Sequence, residues 1–322
     1  MWEKVEVDKG KALEISKEVG WRSVKIFSIS IIAVILYLSI YFTIPQVYDS
    51  LYGEETRQEV LQEINASGTD EFALELMDWE NREFTSPYFK QEENWHRRYM
   101  IYKNKNNDLS IFGAGGPASW ATYSGLANCY GYANVFATLM EDRGTEARLV
   151  EGRGDDHVWA KYKRNDTWIA VDPSANKTII PTNLGEKKDL SYVVSVDPET
   201  GEVVNQLTSK YVDTSNLSVK VTDNGRPIEN VEVELKDPEL MRETDRYTEP
   251  RKMVEKNTAV NGNTSFRIGN GEYLLKIRNP VFFLDQTYTR NVTVNQNREI
   301  EIDLSEKDTK WKLFNLLNLK FW

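Results

Sequence analysis

A run of nineteen residues without a charge, Ile26 to Ile44, constrains this chain more than any other feature. An α-helix rises about 1.5 Å per residue, so the run spans roughly 28 Å, close to the hydrocarbon thickness of a bilayer. Tyr37 and Tyr41 lie toward one end, and Pro45 follows. Lys17, Arg22 and Lys25 flank the run on its N-terminal side, whereas Asp49, Glu54 and Glu55 precede the next basic residue, Arg57. That bias predicts a single-pass transmembrane helix over 26–44, a cytoplasmic segment over 1–25, and everything after Pro45 outside the cell membrane. A signal peptide fits less well, because the run exceeds an h-region and no small-x-small cleavage site follows it. A buried core helix is the remaining alternative, and such helices rarely lack charge over this length.

At 322 residues the chain has room for roughly two domains. Its net charge of -10 argues against nucleic acid as a partner, since neutralising phosphates needs a clustered basic surface. One cysteine cannot form an internal disulfide. By default a lone cysteine is a small buried hydrophobe, so a reactive role for it has to be argued from its surroundings.

Residues 46–123 read as a helical lobe. Val60, Leu61 and Ile64 share a helix face, and Phe72, Leu74, Leu76, Met77 and Trp79 predict a second helix from Asp70 to Asn81. Asn81 to Asn107 is aromatic and charged, and His96 within it reads as a structural histidine. Gly113 to Pro117 is a loop.

Asn128 is placed to cap a helix that begins at Cys129, in which Tyr132, Val135, Phe136, Leu139 and Met140 recur at three- and four-residue steps. Gly144 is placed to stop it. Ala147 to Val150 is a short strand, and Val158 to Tyr162 and Trp168 to Val171 alternate as two more, joined across Arg164–Asn165. With that two-residue turn, His157 faces Asp172 directly, and Val158, Ala160, Tyr162, Ile169 and Val171 form the opposite, buried face. Leu190 to Val196 and Glu202 to Leu207 form a further pair around Pro198–Gly201.

A thiol, an imidazole and a carboxylate so placed are what acyl transfer through a thioester needs. A free thiol has a pKa of about 8.5, and an exposed helix terminus offers only about 0.3–1 kcal/mol toward ionising it. A histidine partner is therefore required, and of the two histidines His157 is the better placed. Asp172 then orients the ring, as the third member of a triad does. Asp155 and Asp156 read as solvated loop residues. Glu151, Asp155, Asp156 and His157 match no standard metal-ligand spacing, so neither metal nor cofactor is expected.

The run ANCYGYANVFATLMEDRGTEARLVEG, then DHVWAKY, then WIAVDPS, resembles the transglutaminase-like superfamily. Cys129, Ala147-Arg148, His157-Val158-Trp159 and Asp172-Pro173 match its pattern in order and spacing. The resemblance covers roughly Asp70 to Tyr211 and is strong from Ser124 to Ser174. It implies an α+β, papain-like core over 46–213, with Cys129 as nucleophile, His157 as general base and acid, and Asp172 as orienter. For the oxyanion the backbone N–H of Cys129 is one candidate donor and Trp120 another.

From Leu217 the pattern changes to short alternating strands between Asn/Gly turns, at Asn224–Gly225, Asn261–Gly262 and Asn270–Gly271, which predicts a small all-β sandwich over 217–305. Gly225-Arg-Pro-Ile, Val231-Glu-Val-Glu-Leu and Gly271-Glu-Tyr-Leu-Leu are similar to carboxypeptidase-regulatory-like or collagen-adhesin B-type modules, implying a prealbumin-like or Ig-like sandwich with no catalysis of its own. The tail over 306–322 carries the apolar stretch Trp311 to Trp322, which either lies at the membrane interface or packs on the sandwich. Six Asn-x-Ser/Thr sequons, at Asn65, Asn165, Asn176, Asn216, Asn263 and Asn291, all follow the apolar run.

The expectation is a membrane-anchored, outward-facing cysteine enzyme acting on a protein or peptide through a thioester, with hydrolysis as the preferred outcome. Gln–Lys crosslinking is the close alternative. A non-catalytic surface protein using the same fold is the alternative from another class.

Overall fold

A computed structural model describes residues 9–85, 102–103, 109–110, 116–153, 157–179, 190–238, 251–281, 284–307 and 310–313. His96, Asp155, Asp156 and the tail beyond Leu313 lie outside the described residues. Helix α1 spans Lys9–Glu63 and α2 spans Thr69–Glu83. A two-residue ladder pairs β1 (Tyr102–Lys103) with β2 (Leu109–Ser110). Helices α3 (Ala118–Ser124) and α4 (Cys129–Asp142) follow.

The apolar run lies within α1, whose 18-residue window of mean hydropathy 2.2 is not buried at all. That removes the buried-core alternative. The helix does not end at Pro45, however. It continues without a break to Glu63, joining the span to the segment expected as a separate helix. A proline inside a helix costs about 3 kcal/mol. Tertiary packing offsets that cost here: Pro45 is buried, Tyr48 packs on Trp120 and Tyr123, and Val60 belongs to the domain core.

A six-stranded antiparallel sheet follows, made of β3 (Ala147–Gly152), β4 (His157–Arg164), β5 (Thr167–Asp172), β6 (Lys177–Ile179), β7 (Val193–Val196) and β8 (Val203–Gln206). Its order is β6-β5-β4-β3-β7-β8. One face, with Leu149, Ala160, Tyr162, Val171, Val194 and Val196, shares a core with α2 and α4. The opposite face is covered too: Val150, Trp159, Ala170, Leu190, Val193 and Leu207 form a second core. A sheet buried on both sides reads as a run of apolar residues rather than a clean alternation, which is why only the first face was expected.

The β4–β5 turn is Asn165–Asp166, one residue later than expected, with φ of 46° and 62°. A two-residue hairpin of type I′ needs two left-handed residues. Asn and Asp tolerate that conformation and Arg164 does not, so the turn takes the Asn–Asp pair. Ala160 pairs with Val171 and Arg164 with Thr167. The numbers of paired residues thus sum to two more than expected, which keeps every side chain on its expected face. Replacing Asp166 with Gly is expected to stabilise the chain by up to about 1 kcal/mol, read from the midpoint of denaturant unfolding. Arg164→Gly would be the favourable change in the other register, and here it should destabilise.

The C-terminal unit is a sandwich of two sheets. One contains β9 (Thr214–Asp223), β10 (Arg226–Pro227), β13 (Asn263–Gly269) and β16 (Arg298–Asp303). The other contains β11 (Glu232–Asp237), β12 (Arg251–Asn257), β14 (Gly271–Val281), β15 (Leu284–Val294) and β17 (Lys310–Leu313). Its first strand begins at Thr214, three residues before the expected start. Asn224 and Gly225 form a left-handed hairpin turn, as their types predict. Asn270–Gly271 is not a hairpin turn. There the chain crosses from one sheet to the other, and Gly271 opens β14. Lys310–Leu313, at the start of the tail expected either at the membrane interface or on the sandwich, adds an edge strand beside β15.

The sandwich joins the first domain through backbone bonds, Gly269 N–H donating to Ser191 O at 2.8 Å and Asn270 N–H to Asp213 O at 3.2 Å. A methyl group on Gly269 would lie 3.1 Å from both Ser191 Cα and a Val212 methyl, so a side chain there would have to push its neighbours back by a few tenths of an ångström. Tyr192 packs against the cores of both units.

Candidate active site

Cys129 is the first residue of α4. Asn128 caps the helix, its Oδ1 accepting from Gly131 N–H at 2.9 Å. At the other end Gly144, with φ of 82°, closes a Schellman motif through Gly144 N–H to Glu141 O and Thr145 N–H to Met140 O. The sequence thus sets both ends of α4, and the apolar face between them, with Tyr132, Val135, Phe136, Leu139 and Met140, enters the core. That packing presents the half-buried thiol beside the first residue of β4, His157.

His157 Nε2 and Asp172 Oδ2 are 2.8 Å apart. They are not directly opposed: continuing the observed register places Asp172 across from position 159, so the pair is diagonal on one face. Diagonal neighbours are about 7–8 Å apart at the backbone, within reach of an imidazole and a carboxylate. The His157 imidazole and the Cys129 thiol interact closely enough for each to shift the other's protonation. The three residues singled out in the sequence therefore lie together, with His157 bonded to Asp172 and coupled in charge to Cys129.

Further groups hold this chain in place. Asp172 Oδ1 accepts from Ser174 Oγ at 2.7 Å. Asn81 Nδ2 on α2 donates to Pro173 O at 2.8 Å and pins the turn that follows Asp172. The His157 ring lies nearly parallel to that of Trp159, with centroids 6.0 Å apart. Ser174 was legible as the Ser of an Asp-x-Ser turn, a local pattern that bonds back to the carboxylate. Asn81 is distant in sequence and had no such signal. Trp120 sits on α3 with its ring against Tyr48 and Tyr123. Among the described residues no cluster of His, Cys, Asp and Glu is arranged to hold a metal ion.

The charges in the site depend on one another. Burial pushes the Cys129 thiol up, but the hydrogen bond and charge of His157, with the N–H groups of Val158 and Tyr130, hold it below its ordinary value. Burial pulls His157 down, and Asp172 and Cys129 together raise it to about 10. Asp172 is pushed up by burial and brought below the usual carboxylate range by His157, Ser174 and the N–H of Ala175. These directions favour a thiolate–imidazolium pair at neutral pH.

A cysteine at a helix start, facing a histidine–carboxylate pair at the ends of two antiparallel strands, defines the class of α+β thiol–imidazole domains. Residues 70–173 match the family model described as Transglutaminase-like superfamily. The match covers less than half of the chain. No curated protein matches the chain. Solved structures that match include a DUF3823 family protein from Parabacteroides merdae, at 18% identity and a TM-score of 0.22 over 29% of this chain. This chain spans 46% of that protein's length.

Proposed function

We propose that this chain is a membrane-anchored cysteine enzyme that takes acyl groups from amide bonds of proteins or peptides through a thioester on Cys129. The observation that carries the reading is the 2.8 Å hydrogen bond between His157 and Asp172, set beside the half-buried thiol of Cys129 at the start of α4.

The Cys129 thiolate attacks the carbonyl carbon, and the oxygen of the tetrahedral intermediate takes the negative charge. Gly131 N–H is taken by Asn128, and the Cys129 N–H at the helix start is the donor proposed for that oxygen. As the C–N bond breaks, the His157 imidazolium gives its proton to the leaving amine, and a thioester remains. Water then attacks, His157 takes its proton, and the C–S bond breaks to release a carboxylic acid and restore the thiolate. Asp172 holds the ring in orientation through both steps. An amine in place of water gives transfer or Gln–Lys crosslinking by the same steps. Hydrolysis is the preferred outcome.

The anchor reading rests on the exposed apolar stretch of α1. A removable signal peptide fits less well, because the same helix runs on into the domain core at Val60. Lys17, Arg22 and Lys25 before the span, with no basic residue after it until Arg57, favour an extracellular catalytic domain. The asparagines of all six sequons are exposed, which fits that side of the membrane.

The test is the rate of Cys129 alkylation by dilute iodoacetamide across pH, with Cys129→Ala as the blank. Reaction near its plateau by pH 6 supports the ion pair. Reaction that begins only above pH 8, or peptide turnover that survives Cys129→Ala, rejects the reading.

A further inference from the structure

α1 does not hand the domain over to a linker. Pro45, one residue past the apolar run, is buried near Gly116, and a methyl group at Gly116 would lie 3.6 Å from Pro45 Cβ. Gly116 O accepts from Asn134 Nδ2 at 3.4 Å. Asn134 is on α4, five residues beyond Cys129, which is about 7.5 Å of helical rise. Higher on α1, Ser119 Oγ donates to Asp49 Oδ1 at 2.5 Å, and Arg57 Nε donates to Asp142 Oδ2, at the far end of α4, at 2.7 Å. Val60 and Ile64 then enter the domain core. The span and the site are thus parts of one packed body. The short path through Gly116 and Asn134 keeps Cys129 within about 20 Å of Pro45.

We propose that the amide carbonyls taken by this site are presented from the same membrane, in the first residues of a second membrane-anchored polypeptide as it leaves the bilayer. This rests on the thioester reading and on α1 as an anchor. Headgroups extend about 6 Å beyond the hydrocarbon, and an extended chain advances about 3.3 Å per residue. A neighbouring polypeptide therefore reaches Cys129 with roughly its first six residues. A flexible tether would let the site sweep a large volume, whereas a docked helix holds it at one height.

The experiment uses the full chain in phospholipid vesicles. Bromoacetamide is carried on a lipid headgroup by spacers reaching about 5, 20 or 60 Å, beside soluble iodoacetamide. Cys129 is the only cysteine, so alkylation reports it directly. In a second protein, seven helix-forming residues inserted between Ile44 and Pro45 raise the domain by about 10 Å and nearly preserve its facing. The expected result is full labelling of the parent protein with the 20 Å spacer, at least a tenfold slowing of that spacer by the insertion, and unchanged reaction with soluble reagent. Labelling of the parent that needs the 60 Å spacer overturns the proposal, as does labelling from the 5 Å spacer that the insertion leaves unchanged. Failure of soluble iodoacetamide to react at pH 6 instead overturns the underlying thiolate reading.

Discussion

His157→Gln will slow alkylation of Cys129 at pH 6 by a factor of about 100 or more. Burial alone pushes this thiol up, and the hydrogen bond and charge of His157 are the main forces bringing it below its ordinary value. Glutamine keeps a polar side chain of similar reach but carries no charge. The thiol then returns to at least about 8.5, where roughly 0.3% is ionised at pH 6. The loss should shrink as pH rises and largely vanish above about pH 9, where an ordinary thiol ionises unaided. Turnover of a peptide substrate should fall by about three orders of magnitude or more at every pH, because the proton donor and acceptor is lost as well. The two readouts separate the charge effect from general damage, since a misfolded site would not recover its alkylation rate at high pH. An unchanged pH profile in the variant would show that His157 is not the thiol's partner.

The second large effect concerns Glu80, which takes no part in the proposed chemistry. Its side chain is fully buried in the α2–α4 layer and neither carboxylate oxygen has a hydrogen-bond partner. Burial raises it well above the usual carboxylate range, so the folded chain holds it protonated where the unfolded chain would release the proton. The sign follows from proton counting. Between the unfolded value, about 4.3, and the raised folded value, the native state binds more protons, so stability declines as pH rises, by up to about 1.4 kcal/mol per pH unit. The contribution is fully present below about pH 4.3 and is lost as pH climbs through the folded value. Glu80→Gln removes the titration and should flatten this slope, leaving the variant more stable than the parent at pH 8 by about 1 kcal/mol or more and the two closer at pH 5. Denaturant unfolding at the two pH values checks this. A variant that loses stability equally at both would mean that Glu80 has a packing role which glutamine does not fill.

What the sequence made legible, and what it hid, divides along the range of the interactions. The start and stop of α4 depend on Asn128 and Gly144, which act within a turn of their own positions, and both were readable. Cys129, His157 and Asp172 were readable because strand alternation places His157 and Asp172 on one face in either register. The register itself was not, because it turned on whether Arg164 or Asp166 takes a left-handed conformation. Pro45 looked like a stop because its cost is local, whereas the packing of Tyr48 and Val60 that offsets it is tertiary. Tertiary contact also explains why Asn81 went unseen, and why Trp159 was not expected to cover a second core. In the sandwich, strand identity was local, but the parallel pairing of β16 with β9 brings together segments some eighty residues apart.

Tyr192 has a consequence for how the chain comes apart. It belongs to the apolar packing of both units, and its neighbour Ser191 accepts the hydrogen bond from Gly269. On its other side Val193 pairs with Gly152, which in turn pairs with His157. Opening the seam between the units therefore strips contacts from the strands next to the imidazole. The sandwich is part of the cooperative unit that keeps His157 in place, and whatever grips or pulls the sandwich also works against the free energy holding the site together.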